Sequence, residues 1–265
     1  NPSLAAGGTL DVSPLSGAIN LRGTNQSDTL IGNSGNNTIY LASDENGGAG
    51  LGVDTVIAGA GDDKIVLQSQ SWRNWSQFFT DVDVSNRTYS IRGNLDGGTG
   101  NDKLELNFYD INYVNHAWGG YFYQSSWTLD LSGLTLAGIE SLALLGDAQG
   151  SGYPKEVVLN ATQIAGLSNT SGLTAVAIVG GGLIDLAHLA AIGIKAWRFG
   201  VGVEYTLRGS GLADTVTVGA GKITLNLGDG NDEVVIDSKS LVTDVIDGGA
   251  GTDTLTLRGI DVDLS

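Results

Sequence analysis

"GGAGTDTLT", residues 248–256, places three glycines in four positions ahead of one aspartate and then alternates threonine with leucine. Alone, the stretch is compatible with a phosphate cradle, a linker or half of a metal site. Repetition decides among them. "GGTGNDKLE" spans 97–105, "LGDGNDEVV" spans 227–235 and "AGAGDDKIV" spans 58–66. More divergent copies are "GTNQSDTLI" (23–31), "GNSGNNTIY" (32–40), "AGLGVDTVI" (49–57) and "GSGLADTVT" (209–217). Copies at 23 and 32 abut, as do those at 49 and 58. "VGAGKITLN" (218–226) fills the gap between two copies and has Ile223 where they have aspartate.

The sixth place of the copies holds Asp28, Asn37, Asp54, Asp63, Asp102, Asp214, Asp232 and Asp253. The eighth holds Leu30, Ile39, Val56, Ile65, Leu104, Val216, Val234 and Leu255. Glycines at places one, two and four, among them Gly32, Gly59, Gly61, Gly98, Gly100, Gly228, Gly230, Gly249 and Gly251, permit a left-handed turn with its carbonyls directed to one side. The residues after the aspartate suit a very short strand with the eighth side chain pointing inward. Two nonapeptides then make one coil. Stacked coils bury a ladder of Leu, Ile and Val and bring successive aspartates to roughly 5 Å, the interstrand spacing. Like charges at that separation cost about 1 kcal/mol per pair even in bulk-water dielectric. A hard dication held by carboxylates and turn carbonyls converts this repulsion into cohesion, and calcium, with six to eight oxygen ligands in flexible geometry, fits. The named aspartates, Asn37 and the turn glycines are therefore the candidate ligands for several calcium ions.

Composition agrees. The net charge is −16, so nucleic acid and anionic lipid are repelled as partners. The 41 glycines against 3 prolines favour tight turns over stiff linkers. Cysteine is absent, which excludes disulfides and thiolate metal sites. With no methionine and Asn1 at the start, the sequence is expected to be a piece of something larger. The most apolar window, Leu173–Ile194, carries Asp185, His188 and internal glycines, so no membrane span is expected.

The nonapeptides resemble the repeats-in-toxin (RTX) motif G-G-x-G-x-D-x-U-x of calcium-binding parallel β-rolls, over about 22–106 and 206–257. That resemblance implies an all-β, right-handed parallel β-roll or β-solenoid with few helical turns. It also implies secretion from a Gram-negative bacterium, usually by a type I route, with folding triggered by external calcium. The order of motifs, "DGGxGxDxLxL" followed by "LTLAGIESLALLG", is similar to RTX-type surface-layer proteins, with large adhesins close behind. Partners implied are other copies of the chain or cell-surface polysaccharide.

Four stretches are expected: a lead-in over 1–21, a first β-roll block over 22–106 with an insertion at about 68–95, an aromatic excursion followed by calcium-poor coils over 107–205, and a second block over 206–265. "LRGTNQSDTL" (21–30) matches "LRGSGLADTV" (207–216) at an offset of 186, as copies of one larger module would. "LNATQIAGL" (159–167) and "IDLAHLAAI" (184–192) align with Asn160 and Asp185 as caps of short helical turns. Thirteen of 18 aromatics lie between Trp72 and Trp127. They serve either as an insertion's own core or, through Trp72, Trp75, Trp118, Tyr121 and Tyr123, as a glycan or protein contact.

Catalytic signatures are lacking. No G-x-S-x-G elbow occurs, and "GAGK" (219–222) lacks the hydroxyl residue and upstream glycine of a phosphate loop. Of the two histidines, His188 is expected to be structural and His116 lies among the aromatics. Glu140, Glu156 and Glu204 are left over, with nothing in their spacing to tie them together. The chain is expected to be a structural module and not an enzyme. The alternatives are a glycan-binding or adhesin module, or the passive C-terminal part of a secreted exoenzyme.

Overall fold

The computed structural model describes residues 2–24, 26–42, 52–68, 87–107, 114–115, 121–122, 127–145, 156–173, 175–189, 196–199, 204–218, 222–236 and 245–258. It contains two compact units, Asn1–Lys155 and Glu156–Ser265.

In the first unit the strands are β1 (Thr9–Asp11), β2 (Asn20–Arg22), β3 (Thr29–Ile31), β4 (Thr38–Ala42), β5 (Asp54–Ile57) and β6 (Lys64–Gln68). They continue with β7 (Arg87–Asp96), β8 (Lys103–Asn107), β9 (Val114–Asn115), β10 (Tyr121–Phe122), β11 (Trp127–Ala137) and β12 (Ser141–Leu145). Two parallel sheets run β1-β3-β5-β7-β11 and β2-β4-β6-β8-β12, while β9 and β10 form a small antiparallel pair. Abutting nonapeptides thus feed opposite sheets, and two of them complete one coil, as their register requires.

The eighth places carry this architecture. Leu30 pairs in register with Val56, Ile39 with Ile65, and Ile65 with Leu104. All five are essentially inaccessible. Each such side chain contributes about 1.5–3 kcal/mol on burial, so the ladder is the main cohesive term of the unit. β-branched and leucine side chains with period-2 alternation suit these short, pleated segments. Gln68 closes β6 and Arg87–Asp96 forms β7, so strand extends into both ends of the stretch expected as an insertion over 68–95.

The second unit comprises β13 (Glu156–Asn160), α1 (Ala161–Gly166), β14 (Asn169–Ser171), β15 (Ala175–Val179), β16 (Gly182–Asp185), β17 (Ala196–Phe199) and β18 (Glu204–Arg208). β19 (Thr215–Val218), β20 (Lys222–Asn226), β21 (Glu233–Ile236), β22 (Val245–Asp247) and β23 (Thr254–Leu257) complete it. Its parallel sheets run β13-β15-β17-β19-β21-β23 and β16-β18-β20-β22. Val216, Val234 and Leu255 stack in register, and so do Leu207, Leu225 and Ile246.

Three expectations are adjusted. Leu255, expected in the core, is 53% exposed, because among the described residues no strand lies beyond β23 to cover it. Asn160 does cap a helix, with a reciprocal capping box to Gln163, whereas Asp185 accepts from the Ala187 N–H in a turn. The strands before these two caps, β13 and β16, also belong to different sheets, so the sequence match between them is not a repeat of position. His188 is exposed in that turn, outside any core. Among the described residues no helix is long and apolar enough to cross a membrane.

Candidate metal centre

Each nonapeptide enters its strand through a turn whose second and fourth residues are glycine in the best copies. Gly98 and Gly100 have φ +92° and +149°, and a Cβ on either would stand about 2 Å from the carbonyl oxygen of Gly59 or Gly61 on the preceding coil. Gly59, Gly61, Gly228, Gly230, Gly249 and Gly251 share the positive φ. Gly32 does not, but a Cβ there would meet the Ala58 carbonyl. Left-handed geometry and close stacking of turn on turn both demand glycine here.

Stacking brings the sixth-place side chains into files. In the first unit, Asp54 Oδ1 accepts from the Asp28 N–H at 2.9 Å, and Asp28 Oδ1 accepts from the Gly8 N–H at 3.1 Å. The facing file runs Ile19 N–H to Asn37 Oδ1 (3.2 Å), Asn37 N–H to Asp63 Oδ1 (2.6 Å), Asp63 N–H to Asp102 Oδ1 (2.7 Å) and Asp102 N–H to Glu140 Oε2 (2.8 Å). In the second unit the Asp214 N–H donates to Asp232 Oδ1 at 2.8 Å and the Asp232 N–H to Asp253 Oδ1 at 3.0 Å. Asp28, Asp54, Asp63, Asp102, Glu140, Asp232 and Asp253 each reach back one coil and take an N–H there. Asp28, Asn37, Asp54, Asp63, Asp102, Asp214 and Asp232 are buried, and Asp253 is exposed on β23's turn.

One oxygen of these carboxylates is accounted for; the other decides the chemistry. Oδ2 of Asp63, Asp102 and Asp232 is buried and meets no hydrogen-bond donor. A buried carboxylate oxygen without a donor or a cation is costly. Burial accordingly pushes the carboxyls of Asp54 and Asp102 from 3.8 to about 6, and raises those of Asp63, Asp214 and Asp232. Neighbouring carboxylates add to the rise, Asp28 at Asp54 and Asp63 and Glu140 at Asp102. The open oxygens sit beside turns whose carbonyls retain a second lone pair. A hard cation with oxygen ligands satisfies this donor set. Among the described residues no three acidic or histidine side chains converge on one point.

Two contributors lie outside the sequence expectation. Glu140, left without a role there, occupies the sixth place on the coil after Asp102, since Leu142 stands in register with Leu104. Gly138–Glu140–Leu142 reproduces the spacing of Gly100–Asp102–Leu104, which was the available signal. A second ladder runs along the fifth places: Ser27 Oγ accepts from Val53 N–H, Asn36 Oδ1 from Asp62 N–H, Asp62 Oδ1 from Asn101 N–H and Asn231 Oδ1 from Thr252 N–H. Trp72, Trp75, Trp118 and Tyr123 lie outside the described residues, and Tyr121 is placed in β10 by its backbone.

With parallel two-sheet coils and aspartate-bearing glycine turns, the fold is that of a calcium-binding β-roll. Residues 20–46, 48–68 and 243–258 match the RTX calcium-binding nonapeptide repeat, in four copies. Such repeats bind calcium ions, and calcium is the cofactor of the chain. The copies at 97–105 and 227–235 fall outside the match yet show the same turns and open oxygens. No curated protein and no solved structure matches the chain.

Proposed function

We propose that this chain is a calcium-dependent structural module of a large protein secreted to the bacterial cell surface, folding when it meets extracellular calcium and assembling there with other copies of itself or with surface polysaccharide. The observation that carries the reading is the set of buried, donorless oxygens on Asp63, Asp102 and Asp232. Turns built this way are poorly stable without a cation and cohesive with one, so the ion acts as a folding switch. Extracellular modules bind calcium at about 10⁻⁴–10⁻³ M, which leaves the chain loose in a cytosol and ordered outside. The RTX repeat is a structural calcium-binding element and not a catalytic one.

The surface-layer role is supported by duplication. Thr24 and Asp28 in one unit repeat the hydrogen bonds of Ser210 and Asp214 in the other, 186 residues on, as tandem modules of an assembling protein would. Circular dichroism during a calcium titration tests the switch: strand signal and melting temperature should rise with calcium and fall with chelator. Unchanged spectra and melting in chelator would refute it. Electron microscopy of the calcium-loaded chain then separates the roles, with ordered sheets expected for a surface layer and monomers for an adhesin module.

A further inference from the structure

The buried sixth-place side chains divide by what meets their second polar atom. At Asp63, Asp102 and Asp232 nothing does. At Asp28, Oδ2 accepts from both the N–H (2.6 Å) and the Oγ1 hydroxyl (2.9 Å) of Thr24. At Asp214, Oδ2 accepts from the N–H (2.8 Å) and Oγ hydroxyl (3.0 Å) of Ser210. At Asn37 the relation is inverted. Its Nδ2 donates to the carbonyls of Gly35 (2.6 Å), Ala58 (3.3 Å) and Asn33 (3.4 Å). Its Oδ1 takes the Ile19 N–H, so the surroundings fix which end is oxygen and which nitrogen.

Those three carbonyls belong to places two and four of Asn37's own copy and to place one of the next. Their counterparts around Asp63 are the carbonyls of Gly59, Gly61 and Gly97 by the repeat register. At Asn37, an amide nitrogen therefore holds the oxygens that an ion would hold elsewhere. The second place tells the classes apart in sequence. It is glycine before Asp63, Asp102 and Asp232, and it is Thr24, Asn33 or Ser210 before the other three.

We propose that the turns at Asp28, Asn37 and Asp214 are closed by the chain's own donors and take no calcium, so that loading is confined to turns with glycine at the second place. The inference rests on the calcium reading above and sharpens which turns carry it. An ion at Asn37 would have to displace a fitted amide and would gain no negative charge from that side chain. One at Asp28 or Asp214 would have to strip a carboxylate oxygen of two donors, one of them a backbone N–H, which is costly to leave unpaired when buried. Position gives the device a use. The self-closed turns stand at the start of all three files among the described residues, and the open turns at Asp63, Asp102 and Asp232 follow in two of them. Each file thus has a metal-independent first turn on which calcium-dependent coils can build.

The test is to count calcium per chain, by calorimetry and by metal analysis after gel filtration, for the full chain and three variants. Asn37→Asp removes the amide and supplies a carboxylate, and is expected to bind one ion more than the wild type. Ser210→Gly removes the hydroxyl donor to Asp214 Oδ2 and lets the second place take the positive φ of Gly59, Gly98 and Gly228, in whose turns the N–H does not donate to the carboxylate, and is expected to gain one likewise. Asn37→Ala is expected to leave the count unchanged. A loss of one ion in Asn37→Ala, or no gain in whichever of the first two variants shows the wild-type dichroism in calcium, overturns the proposal. A wild type that binds no calcium at all overturns it together with the reading beneath it, and is distinguishable because the variants then have no baseline count.

Discussion

The N–H of Asp63 donates to Oδ1 of Asp102 at 2.7 Å, while Oδ2 of the same carboxylate is buried without a donor. One oxygen of Asp102 thus fastens coil to coil, and the other is left for a cation. Replacing Asp102 with asparagine keeps the first function and removes the second. In calcium, Asp102→Asn is expected to lower stability by about 2.7 kcal/mol for each ion lost at a hundredfold excess over its Kd. In chelator the variant should match or exceed the wild type, because a neutral amide costs less to bury than an uncompensated carboxylate. Thermal melts of both proteins in both conditions check the sign reversal. Equal losses with and without calcium would show that Asp102 is only a hydrogen-bond acceptor.

A pH dependence follows for the metal-free chain. Burial raises Asp54 and Asp102 from 3.8 to about 6, so the folded state holds protons that the unfolded state has released. Their contribution to stability is fully present below about pH 4 and is lost as pH rises through 6. In chelator, the melting temperature should therefore fall between pH 4.5 and 7.5. With calcium the trend should reverse, because the ligands must be deprotonated to bind. A flat chelator profile, or one unaltered in the Asp54→Asn, Asp102→Asn double variant, would assign the effect elsewhere.

Much of the fold is legible because the repeat imposes it. The spacing of Asp102 to Leu104 alone puts one residue at a turn and the other in a core, and the stacking of Ile39, Ile65 and Leu104 follows from that period. What the motif could not convey depends on neighbours in space. Asn37 looks like a weaker ligand in sequence, and only the carbonyls of Gly35 and Ala58 reveal its nitrogen as a donor. Glu140 was hidden because its copy keeps only one glycine of the motif and lengthens the acid by a methylene, though its register is intact. Leu255 has the pattern of a core residue, but burial requires a covering coil, which a local pattern cannot specify.

Gly100 should resist substitution regardless of calcium. Its φ is +149°, and a Cβ would come within 2.0 Å of the Gly61 carbonyl oxygen. Gly100→Ala combines backbone strain with a clash against backbone, so a loss well above about 1 kcal/mol is expected. The melting temperature should drop by about 2–4 °C per kcal/mol for a chain of this size. Gly166→Ala is the matched control, since a Cβ there meets nothing within 4 Å and the helix tolerates alanine. That variant should be neutral or more stable, and a comparable loss in both would mean that turn stacking is not the cause.

Asn160 offers a site where calcium should not matter. Its side chain accepts from the Gln163 N–H at 3.0 Å and the Gln163 side chain accepts from the Asn160 N–H at 2.8 Å, closing both ends of a capping box on α1. The cap lies on a helical turn, remote in kind from the aspartate files, and Ile164 and Leu167 tie that turn to the core. Asn160→Ala removes one acceptor and unpins Gln163, so a loss of about 1 kcal/mol is expected. The loss should be the same in calcium and in chelator once the metal's own stabilisation is subtracted. Chemical denaturation in the two conditions provides the comparison. A loss seen only in calcium would mean that the helical turn folds as part of the calcium-driven transition and does not hold its structure independently.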